Sequence, residues 1–225
     1  MSGKRKTGSM YNIGGAPDRR SDVHEMFRRA GFSEVTGTNG IDAAVLNAYA
    51  IALAELERRY GAIGASDSPA FTTGNSKSGV VAAVVSDVRN PADQLMAINP
   101  DYLGRISTNL STQRQSEASG YHAPTDGRIT SRARYSVTHE YGHMLHNAIA
   151  ARSGSNVDAL TRRAEREIKS IAVSKYGAKR GGTVSGYGGS SSAEFFAESF
   201  ASLNSGSPNA YGKAMSDWLK TNGIK

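Results

Sequence analysis

The chain has 225 residues, enough for one generous domain or two small ones with a real core. It contains no cysteine, which excludes disulfides and thiolate ligands, so any metal site must draw on His, Asp or Glu. Net charge is +7, and no stretch approaches the ~18 apolar residues of a membrane span.

Lys4, Arg5, Lys6, Arg19 and Arg20 stand among Gly, Ser and Pro with no apolar period. That pattern predicts a basic flexible arm over residues 1–20, followed by a folded domain over 21–225. The first residues are basic but lack the apolar core of a signal peptide. We therefore expect a soluble protein, cytoplasmic or particle-associated, with leaderless export left open. Basic excess favours acidic partners, so the arm is a candidate contact for nucleic acid or particle proteins. The plainer reading of the same charge is a solvated surface.

A short amphipathic helix is expected over 22–30, with Ser21 as N-cap and Gly31 at its end. A longer one follows over 42–60, where Val45, Leu46, Tyr49, Leu53 and Leu56 keep a helical period until Gly61. Residues 79–88 form a β-branched run that reads as a buried strand. Residues 95–99 are a second strand candidate, closed by Pro100. Residues 104–130 are polar and read as a long loop.

Helical patterning returns at about 136 and runs to about 152, then again over 157–176. Residues 177–193 are a Gly/Ser-rich loop. A helix over 194–203 follows, and a last one, capped by Ser207 with Pro208 at its first position, ends near Thr221. Strands early and helices late give an α+β domain.

The chemistry concentrates in His139-Glu140-Tyr141-Gly142-His143. Residues four apart share a helix face, so His139 and His143 can bind one Zn2+, with Glu140 beside the position of its bound water. With five histidines in the chain, a chance match of this kind arises in roughly one shuffled sequence in 200. A third ligand is needed. The metzincin extension H-E-x-x-H-x-x-G-x-x-H fails, because its glycine position is His146 and its last histidine position is Ile149. His146 lies about 10 Å along the axis from His139, too far to share its metal, and is expected to pack or hydrogen-bond nearby. His24 and His122 lack local partners and read as loop or surface histidines, although His122 could reach the cleft.

The remaining candidates are Glu194 and Glu198, again four apart and set among Phe195, Phe196 and Phe200. Ser191-x-x-Glu194 also fits a capping box, in which Glu194 would only reach back to the Ser191 backbone. For Glu198 the plain alternative is a solvated helix face.

HEYGH, then Tyr187-Gly188, then Ala193-Glu194-Phe195-Phe196-Ala197-Glu198-Ser199-Phe200, resembles the catalytic domain of anthrax lethal factor. That domain is a gluzincin-type metallopeptidase, and related zincin-like domains occur in bacterial toxins and phage particle proteins. The resemblance covers residues 137–147 and 186–203 and is loose elsewhere. It implies a zincin-like fold with a small mixed sheet, an HExxH helix and a C-terminal helical part. It implies that His139, His143 and Glu194 bind zinc and that Glu140 is the general base. Tyr187 would donate its phenolic hydrogen to the oxyanion or leaving group, and Glu198 would hold a ligating imidazole.

The expected activity is that of a zinc-dependent endopeptidase acting on a polypeptide substrate. Zincins in general pair extended substrate with a strand edge, and by position residues 95–99 are the candidate edge. The alternative is a structural or particle-associated protein on a zincin-like fold, its basic arm binding nucleic acid or a protein partner. A toxin delivered to a host would use the same chemistry.

Overall fold

The computed structural model describes residues 20–66, 69–74, 81–86, 90–91 and 93–224. The expected basic arm, up to Arg19, lies outside them, as do both ends of the strand expected over 79–88. Among the described residues the architecture is α+β, with eight α-helices and a mixed four-stranded sheet. No described helix is long and apolar enough to cross a membrane.

Helix α1 (Arg20–Arg29) begins before the expected cap, so Ser21 falls inside its first turn. Strand β1 (Glu34–Thr36) was not foreseen from the sequence. Helix α2 (Ala43–Tyr60) occupies the expected span and stops at Gly61, whose positive φ of 63° suits a residue without Cβ. Strands β2 (Ala70–Thr73), β3 (Ala82–Ser86) and β4 (Gln94–Ile98) complete the sheet in the order β1-β2-β4-β3. The pairs β1–β2 and β2–β4 are parallel, and β3–β4 is antiparallel.

Two expectations about the sheet are corrected. The segment at 95–99 is not an edge: β4 is paired on both sides, so its backbone has nothing left for a substrate. The described part of the run at 79–88, residues 81–86, is not buried: among the described residues β3 pairs only with β4, and Val85 is 57% exposed. An unbroken apolar run looks central in a sheet, but among the described residues one side of β3 has no strand beside it.

The third correction concerns residues 104–130. After the short helix α3 (Pro100–Leu103), most of that stretch is helix α4 (Ile106–Ala118). Its buried positions, Ile106, Asn109, Leu110 and Gln113, follow the i, i+3, i+4, i+7 rule. Two of them are amides, which hid the period. Asn109 donates to the Tyr49 hydroxyl at 2.8 Å.

Helix α5 (Ile129–Ser153) starts earlier than the motif alone suggested and ends at Gly154. Helix α6 (Val157–Tyr176) is capped by Asn156, and α7 (Ser192–Leu203) by Ser191. Helix α8 (Ala210–Thr221) is capped by Asn209 rather than Ser207, because the Asn209 side chain reaches the Tyr211 and Gly212 N–H groups. The apolar cluster runs from Phe27, Phe32 and Phe71 beside the sheet, through α2 and α5, to Phe196 and Trp218.

Candidate metal centre

Every residue of the pentapeptide on α5 has a distinct environment. Tyr141 points away from the histidines, donates to Glu57 at 2.9 Å and accepts from the Ala62 N–H at 2.9 Å. Glu57 also accepts from the Ile63 and Gly64 N–H groups, so the turn after α2 is bolted to α5. Gly142 meets α7: a Cβ there would lie 2.9 Å from the Ala197 Cα. Only a hydrogen at this position lets α7 approach so closely. That approach carries Glu194 and Glu198 to the imidazoles.

Three atoms converge. His139 Nε2 is 3.1 Å from His143 Nε2 and 3.0 Å from Glu194 Oε2, while His143 Nε2 is 3.3 Å from the same oxygen. The ligand atoms of His139, His143 and Glu194 all lie within 4.8 Å of one another. Tetrahedral bonds of about 2.0–2.1 Å place ligand atoms roughly 3.3 Å apart, close to this triangle. The donor set of two imidazoles and one carboxylate is one that Zn2+ takes with a position left open.

The other ring nitrogens are occupied, which turns the Nε2 atoms toward the centre. His139 Nδ1 contacts Glu198 at 2.9 Å, and His143 Nδ1 contacts His146 Nε2 at 3.0 Å. Glu198 is fully buried and also accepts from Ser185 Oγ (2.6 Å), Tyr135 Oη (3.0 Å) and the Ala123 N–H (3.1 Å). So many donors fix both its charge and its position. His146 acts as the packing partner expected of it. Ser191 caps α7 by accepting from the Glu194 N–H, while the Glu194 side chain turns to the histidines.

The cluster favours positive charge. Burial works against the charged form of His139, but hydrogen bonds to Glu194 and Glu198 outweigh it and raise its pKa to about 10. Burial also works against the Glu194 carboxylate, and the same contacts, with His143, hold its pKa well below the usual range. A dication would replace the shared proton. Burial pushes the Glu140 pKa up, against the pull of His139 and His143.

Tyr187 lies on a 3₁₀ turn, Tyr187–Gly189, with its ring stacked 5.5 Å from that of His139. Burial and the nearby Glu194 carboxylate raise its pKa. The turn is tied to the loop after α4 by Gly186 N–H to Gly120 O and Tyr187 N–H to Tyr121 O, both 2.8 Å. Thus the six residues singled out from the sequence (His139, Glu140, His143, Tyr187, Glu194 and Glu198) meet at one place. Sequence reasoning missed Tyr135, Ser185 and Ala123 around Glu198. Nothing in their local spacing marks them.

His122 is a half-buried residue of the loop after α4 and reaches the cleft, as the sequence left open. It stacks between Tyr121 and Tyr135, with ring centroids 5.1 Å away on each side, and sits 6.4 Å from the His139 ring. Burial lowers its pKa, partly offset by Glu198. His24 lies far along the chain in α1 and contacts the Thr38 hydroxyl at 2.7 Å. A cavity of about 190 Å³ opens beside Glu140 and His139 and reaches the Ala82 end of β3.

No protein-family model matches the chain, and comparison with curated proteins and with solved structures finds no match either. The geometry of the cluster is therefore the basis for a functional reading.

Proposed function

We propose that the chain is a zinc-dependent endopeptidase of the gluzincin type, built on a zincin-like fold. The observation that carries this reading is the convergence of His139, His143 and Glu194, with Glu140 and Tyr187 at the same opening. When bound there, Zn2+ would supply Lewis acidity to a substrate carbonyl and lower the pKa of a water.

The protein residues do the rest. Glu140, beside both imidazoles and made a stronger base by burial, accepts a proton as its carboxylate from the attacking water and returns it to the departing amine. Tyr187, its ring stacked on that of His139, turns its O–H to the oxygen that gains negative charge. Glu198 and His146 hold the two imidazoles in orientation throughout. The outer edge of β3 is the natural partner for an extended polypeptide, since among the described residues it pairs on one side only and borders the cavity.

The test is metal content together with peptide-library cleavage. Wild-type protein is expected to carry about one zinc per chain and to cut peptides. Glu140→Gln should keep the zinc and lose activity by roughly 10²–10⁴-fold, the usual weight of a general base. Undiminished cleavage by that variant, or no zinc uptake by wild type, would refute the assignment.

A further inference from the structure

The cavity beside Glu140 has a specific chemical character. Its apolar wall comes from Val81, Ala82 and Leu103, with the Tyr121 ring at the mouth. At about 190 Å³ it exceeds the ~150 Å³ that holds a benzene ring in a protein interior. A ring-bearing side chain therefore fits. Among the described residues, the lining outside Glu140 and His139 has no acidic, Lys or Arg side chain to pair with a charged occupant.

Its two amide side chains are committed. Asn109 donates to Tyr49 and to the Ala133 carbonyl. Gln113 Nε2 donates to Glu117 at 3.3 Å, which turns Gln113 Oε1 toward His122 Nδ1 at 3.2 Å. Glu117 is itself fixed by Arg132, through Nε at 3.1 Å and Nη2 at 3.0 Å, and by the Thr125 hydroxyl at 2.8 Å. The amide orientation is thus set from behind. Because Oε1 can only accept, Nδ1 of the neutral imidazole must carry the hydrogen, and Nε2 keeps its lone pair. Among the described residues Nε2 has no partner in the protein, while His122 lines the cavity. The relay Arg132–Glu117–Gln113–His122 spans α4, the following loop and α5. It presents a ring-nitrogen acceptor of fixed orientation in a ring-sized space that the Thr112, Ser116 and Ser136 side chains also line.

We propose that this cavity is a side-chain subsite selecting an uncharged aromatic residue that carries a hydrogen-bond donor, tyrosine foremost, through His122 Nε2. The inference deepens the peptidase reading and rests on it for the word substrate. Phenylalanine would fill the same space but leave Nε2 unsatisfied, and a hydrogen bond of this kind is worth about 0.5–1.5 kcal/mol, or roughly 2–10-fold in affinity.

The test uses soluble side-chain probes that need no cleavage. N-acetyl-tyrosine amide and N-acetyl-phenylalanine amide are titrated into the full chain, and binding is followed by NMR. The tyrosine amide is expected to bind roughly 2–10-fold more tightly, with shifts at His122 and Ala82. In His122→Phe the difference should vanish while the phenylalanine amide still binds. In Gln113→Met, which leaves His122 present but its tautomer unfixed, the difference should shrink. Equal binding of the two amides to wild type, no binding of either, or a preference that survives in His122→Phe would overturn the proposal. Because neither probe is cut, failure of the peptide library to be cleaved would bear on the peptidase reading alone.

Discussion

Among single residues, Glu198 carries the heaviest duty for one that would touch no metal. It is the buried carboxylate on which His139, Tyr135, Ser185 and the Ala123 amide all converge. Glu198→Gln keeps the shape but turns one acceptor into a donor, so it faces at least one of those donors with another. Zinc affinity should fall by about 10–100-fold, read by competition with a chromophoric chelator. An unchanged affinity would mean that His139 is held by its own packing. The two histidines and Glu140 were legible from spacing alone. Glu194 and Glu198 became legible only through their shared spacing on a second apolar helix. The donors around Glu198 were not, since Ala123 acts through its backbone and Ser185 through a fold-dependent turn. That His122 could reach the cleft was legible, but its partners were not, because Gln113 and Tyr135 are brought to it by α4 and α5 rather than by neighbouring sequence.

At the level of elements, the site depends on how α5 and α7 pack. Gly142 sits against the backbone of Ala197, midway between the positions that bring Glu194 and Glu198 inward. On propensity alone Gly→Ala in a helix gains up to about 1 kcal/mol. Here the new methyl meets the Ala197 Cα at 2.9 Å, so α7 must shift. Overpacking of this kind costs about 1–3 kcal/mol. Gly142→Ala should therefore lower the unfolding free energy in denaturant titration and weaken zinc binding together. A variant that is stabilised with intact zinc affinity would show that α7 has slack. Trimming Ala197 to Gly would not restore the fit, because the close atoms include its Cα and carbonyl oxygen. Long periodic helices such as α2 and α6 were readable, whereas α4 was not, because amides occupy half its inward face. The three-residue β1 and four-residue β2 offered too few positions for any period to register. The order of strands, and so which edge is free, depends on pairings that no local pattern encodes.

For the molecule as a whole, the centre joins parts of the chain that are far apart in sequence. His139 and Glu194 are 55 residues apart, and the α4–α5 loop supplies Ala123. A cation held between α5 and α7 favours the folded chain over the unfolded one by mass action, by about 4 kcal/mol when free zinc is a thousand times its Kd. For a chain of this size that corresponds to a rise of roughly 8–16 °C in Tm. Melting with zinc and with a chelator measures it, and identical melting points would argue against a site shared by the two helices. The α+β class was legible because strand patterns come early and helical ones late, but the count of strands was not.

The backbone bonds that join Gly186 to Gly120 and Tyr187 to Tyr121 have a consequence for how the cleft can open. In sequence the two loops are separate glycine-containing segments, each free to swing alone. Two rungs and the stacked Tyr121 and Tyr187 rings tie them together. A movement that parts them must break both bonds. A movement that keeps them carries Tyr121 and Tyr187 together, so the ring at the mouth of the cavity and the ring over His139 would leave or arrive in the same step.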